Sequence, residues 1–265
     1  MSGPFDIFGL GANPDHPEDS PARKAQRAMA KPLPKRFYDV VTIAPSNEGY
    51  QLHLDAKPVR TPARRLMTIG NETIARLVAQ EWQAQKTVID PKTMPLTRLA
   101  NSALDGVAHH KEAVRDEIVR FAGTDLLFYR ADQPARLVER QSTLWDPVVA
   151  AAEAHFGCRF VVTVGLMHVT QPERALKAVA GTLAAYDDPL RLAALHSMTT
   201  LMGSCLLALN VAEGAMPVAA AWQAAHLDED WNIELWGEDR EAQMRRAFRL
   251  IDMEAAAKVA TACIG

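Results

Sequence analysis

The chain is predicted to be α+β, a small antiparallel β-meander with helices followed by an all-helical C-terminal domain. Three observations predict this. Between residues 37 and 69 the hydrophobic pattern alternates with the period of a strand, and after Gly70 it recurs with the period of a helix. Prolines and glycines then cut the second half into helix-length segments with no run of strands. The 265 residues are 48% hydrophobic and 23% charged, enough for a sizeable core in one large domain or two small ones. The expected division is a proline-rich arm over 1–35, a small α+β domain over 36–130 and a helical domain over 131–265.

Pro4, Pro14, Pro17, Pro21, Pro32 and Pro34 leave room in the arm for one short helix at PARKAQRAMAK, the rest being disordered or packed on the body. From residue 37, FYDVVTI is rich in β-branched and aromatic residues, PSNEG is turn chemistry, and YQLHL alternates. Tyr50, Leu52 and Leu54 share one face of that strand, with Gln51 and His53 on the other. PVRTP and LMTI complete the meander, and Pro58 and Pro62 consign their strand to an edge or to irregularity.

Asn71 is a candidate N-cap for a helix with Ile74, Leu77, Val78 and Trp82 on one stripe. DPKTMP ends it. One long helix is expected from Leu96 to Ala122, its core face made by Leu104, Val107, Val114, Ile118 and Phe121. LLFYR is a short strand or extended link. Pro134 opens a helix that Gly157 closes, RFVVTVG is a candidate strand, and Pro172 opens a further helix. A central buried helix is expected from Pro189 to Gly214. Its residues 190–211 are nearly long enough to cross a bilayer, but Arg191, His196 and Asn210 interrupt them. A short helix follows Pro217, then a loop rich in acids and tryptophans, then a last helix from Asp239 to Ala262.

Several function classes are disfavoured. The net charge is −3, without the basic excess of a nucleic-acid binder. Cys158, Cys205 and Cys263 form no C-x-x-C pair, so neither a disulfide framework nor a cysteine zinc site is expected. The start has no secretory signal, and Asp6, Asp15, Glu18 and Asp19 are unlike a mitochondrial transit peptide; a bacterial cytoplasmic location is expected. Phosphate-loop, nucleophile-elbow, zincin and calcium-loop motifs are absent from the sequence. His109 and His110 are adjacent and cannot chelate one metal from the same helix face. His196 stands among apolar residues. It is either a general base in an interhelical pocket, which would make the protein a small-molecule enzyme, or a core histidine satisfied by a neighbouring helix.

The densest unusual segment is LDEDWNIELWGEDRE, residues 227–241. It holds seven acids against Arg240, a local charge of −6, while the rest of the chain carries 28 bases against 25 acids. Three readings stay open: helix capping by Asp239 and Glu241 with tryptophans anchoring the segment, a carboxylate metal site, or a partner surface.

LAALHSMTTLMGSCLLALNVAEG followed by AWQAAHLDEDWNIELWGEDREAQMRR resembles the family of ATP synthase F1 assembly factor 2. So do KRFYDVV, PVRTPARRLMTI, EWQAQKTVIDPKTMPLTRLANSALD and GTDLLFYRADQP; together the blocks span about residues 35–255. The resemblance implies a two-domain chaperone without catalysis or cofactor. Its implied partner is the free α subunit of F1-ATPase, which it shields before the α/β hexamer forms. It implies neither nucleic-acid binding nor membrane insertion, and the chain is expected to be a monomer. Eukaryotic relatives are mitochondrial. The resemblance favours the partner-surface reading, with Trp231, Glu234, Trp236, Glu238, Asp239 and Glu241 as the candidate contacts.

Overall fold

The computed structural model describes residues 32–165 and 167–262. The expected arm therefore lies outside the described residues except for 32–35, and so does Cys263. Strands β1 (Val41–Ser46) and β2 (Gly49–Leu54) form an antiparallel hairpin in register from Val41↔Leu54 to Ser46↔Gly49. Gly49 has φ +130°, and a Cβ there would sit 2.5 Å from the Ile69 carbonyl oxygen. Glycine is thus what lets the chain close on this corner. The first strand starts later than expected from FYDVVTI. The Asp39 and Val40 amides are taken by the Asp55 carboxylate at 3.0 and 2.9 Å instead of by a ladder. PVRTP and LMTI supply only the two-residue strands β3 (Lys57–Pro58) and β4 (Thr68–Ile69). Both pair with β2, and β3 forms an edge of the sheet as Pro58 requires. Leu52 and Leu54 face inward and are buried.

Asn71 caps α1 (Glu72–Ala84), its side chain accepting from the Ile74 amide at 3.2 Å. Its amide nitrogen also donates to the Ala262 carbonyl at 3.0 Å, joining the start of the first helix to the end of the last. The Glu81 carboxylate of α1 accepts the Leu96 and Thr97 amides at 2.7 and 2.8 Å, capping α2 (Pro95–Asp105).

The single helix expected over 96–122 is two helices. α2 ends at Gly106, a 3₁₀ turn follows at Val107–His109, and α3 runs Lys111–Gly123. Glycine is a poor helix residue. In addition, the Asp105 carboxylate at the end of α2 is taken by the Thr61 hydroxyl at 2.6 Å and the Ala63 amide at 2.9 Å. Val107, Val114 and Ile118 remain buried across the break.

A 3₁₀ turn at Leu126–Phe128 leads into β5 (Tyr129–Arg130), and α4 (Ala135–Phe156) follows Pro134 and ends at Gly157, φ +60°. Of the candidate strand RFVVTVG only β6 (Thr163–Val164) forms, paired parallel to β5. Then come α5 (Glu173–Leu183), α6 (Pro189–Met202), α7 (Cys205–Ala212), α8 (Val218–Ala225), α9 (Leu227–Trp236) and α10 (Arg240–Ala262).

The central helix expected over 189–214 is thus also two, α6 and α7, divided at Gly203, φ +66°. Ser204 restarts the chain by accepting the Leu207 amide at 3.0 Å. A Cβ on Gly203 would meet Leu126 Cδ2 at 3.6 Å, an ordinary contact. Gly203→Ala is therefore expected to cost about 1–2 kcal/mol from the left-handed backbone alone, read as a lower urea midpoint with unchanged slope.

α6 is the centre of the molecule. Leu192, Leu195 and Met198 are fully buried, and the helix packs against α2, α3, α7 and α10. Among the described residues no helix is long and apolar enough to cross a membrane.

Candidate functional site

Residues 227–236 form helix α9 and not the expected loop. Asp228, Glu229 and Asp230 fall in its first turn, where their charge favours helix formation by opposing the positive end of the dipole. Gly237, φ +87°, then turns the chain into α10.

The helix sends the candidate residues to two sides. Trp231 and Glu234 face α4. Trp231 is buried, with the Arg140 guanidinium 5.2 Å from its ring centroid. Arg140 also donates to Glu234 at 2.7 Å, and that hydrogen bond holds the Glu234 carboxyl below the usual carboxylate range. Gln141 donates to Asp228 at 2.8 Å on the same side. These contacts moor α9 to the body.

Trp236, Glu238 and Asp239 lie on the other side and line a groove of about 770 Å³ between α9 and α10. Trp236 is 84% exposed. The groove floor is apolar, with Trp222, Ile233, Ala247 and Leu250, and its α9 wall carries Glu229 and Asp230. The Asp230 carboxylate takes both terminal nitrogens of Arg246 and so ties α9 to α10. Asp239 accepts the Glu241 amide at 2.9 Å, which places it at the start of α10 as a cap. Glu241 pairs with Arg245 at 3.3 Å along that helix. Of the six candidates, the groove thus collects Trp236, Glu238 and Asp239.

His196 follows the core-histidine reading. Its Nε2 is 3.1 Å from Oε2 of Glu117 on α3, and both side chains are largely buried. The nearby Thr199 hydroxyl donates to the Leu195 carbonyl at 2.9 Å, and the Thr200 hydroxyl to that of Ser197 at 2.9 Å. Neither is poised as a nucleophile toward His196. Among the described residues, no three His, Cys, Asp or Glu side chains are placed to hold a metal ion.

Two features escape the sequence reading. One is the outer face of α10, where Met244, Phe248 and Ile251 are 43%, 59% and 46% exposed. Their spacing of four and three was the available signal, but the same spacing marks an ordinary core face. The other is Asp125, just past the end of α3. It is fully buried and accepts from the Leu127 amide at 3.2 Å and from the Ser204 hydroxyl and Leu206 amide at 3.0 Å each. Burial pushes its carboxyl up to about 6 against the pull of those donors.

The family model of ATP12 chaperone proteins matches residues 35–153. The fold is similar to the crystal structure of the Atu1473 protein of Agrobacterium tumefaciens, described as a candidate chaperone. The two are 50% identical over 93% of this chain and 91% of that one, with a TM-score of 0.84. It is also similar to the crystal structure of Atp12 from Paracoccus denitrificans, at 37% identity over 86% of this chain and 98% of that one, TM-score 0.81. An aspartate-to-lysine mutant of the Paracoccus protein matches with the same TM-score of 0.81. With near-complete coverage of relatives well above 30% identity, and with the α+β meander and helical body in the same arrangement, the chain belongs to the ATP12 family of chaperones.

Proposed function

We propose that this assembly chaperone takes the free α subunit of F1-ATPase as its client in the bacterial cytoplasm. It covers the face that the client later shows to its neighbours and releases it into the α/β hexamer. The observation that carries this reading is the groove between α9 and α10: an apolar floor, an exposed tryptophan at its lip and carboxylates on its rim. An unassembled ring subunit exposes a contiguous apolar patch that aggregates unless covered. Release demands moderate affinity. A narrow apolar anchor with a charged rim supplies that better than a wide dry interface, because rim charges set the encounter rate and contribute little to holding.

The test is a pull-down of separately expressed α and β subunits with the full chain. Capture of α and not β is expected; capture of β alone, or of neither, removes the proposal. Glu238→Lys combined with Asp239→Asn then tests the rim. Asparagine retains an oxygen for the Glu241 amide, so the helix cap survives while the charge is lost. Binding to α is expected to weaken about tenfold with the melting temperature unchanged. Unchanged affinity would exclude both carboxylates from the site.

A further inference from the structure

We propose that the first half of α10 is a docking helix that presents Met244, Phe248 and Ile251 to an apolar groove edged with carboxylates on the client polypeptide; this rests on the client-binding role proposed above. α10 is 23 residues long and is divided in its environment. Its second half enters the core, where Met253, Ala256, Val259 and Ala260 are almost wholly buried. Over 240–252 none of its residues is buried. A half of that length would be marginal as a free helix. It is held here at three points. Arg246 pairs with Asp230, Arg249 donates to the Leu201 carbonyl at 2.6 Å, and Asp252 pairs with Arg98 of α2. These contacts come from positions that leave Met244, Phe248 and Ile251 pointing to solvent. Spacings of four and three residues put the three side chains in one line on the helix.

Keeping three large apolar side chains in water on a rigid, body-anchored helix is unfavourable unless something covers them. The charge around them identifies the covering chemistry. Residues 240–251 contain Arg240, Arg245, Arg246 and Arg249 against Glu241, a local +3 in a chain of net −3. Arg240 and Arg245 are exposed beside the line of apolar residues, while Arg249 is turned to the Leu201 carbonyl. The fitting partner is therefore an apolar groove with acids along its edge, receiving an amphipathic helix by its 244–248–251 positions. The groove across α9 carries the opposite sign on Glu229, Glu238 and Asp239. The two charged strips, side by side, fix one orientation of the client and penalise the reverse.

The experiment measures binding of the full chain and three variants to purified α subunit, with sedimentation of the chaperone alone. Phe248→Asp is expected to weaken binding by about thirtyfold or more, as for a buried aromatic anchor, with the melting temperature unmoved. Phe248→Leu is expected to bind within about threefold of the parent, since an apolar side chain of similar reach is kept. Arg245→Gln is expected to reduce the salt dependence of binding. If the parent binds α and Phe248→Asp binds equally well, the docking helix is refuted while the client assignment stands. If the parent does not bind α at all, the client assignment has failed and the docking helix falls with it. If the parent sediments as a dimer that Phe248→Asp dissociates, a second copy covers the face and the proposal is overturned.

Discussion

Trp145→Ala is expected to destabilise the protein by about 3–5 kcal/mol, the usual range for removing a fully buried tryptophan. Trp145 lies in the middle of α4 at 1% exposure. Its indole nitrogen donates to the Ala224 carbonyl at 2.8 Å, near the end of α8. The Arg130 guanidinium sits 5.1 Å from its ring centroid and pairs with Asp146 at 2.9 Å. Alanine would leave a cavity, an orphaned carbonyl and an uncovered cation. The loss has a functional consequence, because α8 leads directly into α9. The indole fixes the height of α8 against α4, and Arg140, one turn before Trp145 on α4, fixes α9 by its contacts with Trp231 and Glu234. Trp145→Phe separates the two contributions. It retains most of the volume and loses only the N–H, so about 1–3 kcal/mol is expected. Urea unfolding at neutral pH measures both; a Trp145→Ala cost below about 1 kcal/mol would show that α4 and α8 do not depend on this contact.

The sequence carried the elements better than their ends, and the physical reason recurs. Where one residue acts alone, the reading holds. Asn71 caps α1, Gly157 ends α4 and Pro58 marks an edge strand, because each effect belongs to that side chain or backbone. Where a boundary depends on a partner far along the chain, the reading fails. The break after α2 is set by Asp105 bonding to Thr61 and Ala63, and the break after α6 is secured by Ser204 bonding to Asp125. Helical periodicity passes through both breaks unchanged, so periodicity could not reveal them. The candidate site was half visible for the same reason. Acid and tryptophan density marked 227–241, but density is silent about direction. Only the fold shows that Trp231 and Glu234 are moored to Arg140 while Trp236 and Asp239 reach the groove. The exposed line on α10 was hidden because an apolar line at helical spacing is indistinguishable in sequence from a core face until its neighbours are known.

Asp125 joins the two halves of the chain and should do so in a pH-dependent way. It follows α3, and its carboxylate accepts the Leu206 amide and the Ser204 hydroxyl at the start of α7. Asp125→Ala would strand those donors and the Leu127 amide in a fully buried place. With about 1–3 kcal/mol for each of the three orphaned groups, a loss of at least about 3 kcal/mol is expected. The pH dependence follows from its raised carboxyl, about 6 in the folded protein against an ordinary 3.8. The folded state holds this proton more tightly than the unfolded state. The stabilisation is therefore fully present below the ordinary carboxylate value and is lost as pH rises through about 6. Over that window it amounts to about 3 kcal/mol. The exposed carboxylates of Asp55, Glu72, Asp187 and Glu234 are shifted the other way, so their contributions fade on acidification and mask the effect in the parent protein alone. The difference between the parent and Asp125→Asn removes that background, because those groups are common to both. Asparagine does not titrate, so its deficit relative to the parent should grow as pH falls from 7 to 4. A deficit that is flat, or that grows toward high pH, would mean that the amide and hydroxyl donors outweigh burial and that Asp125 holds the α3–α7 junction as an anion.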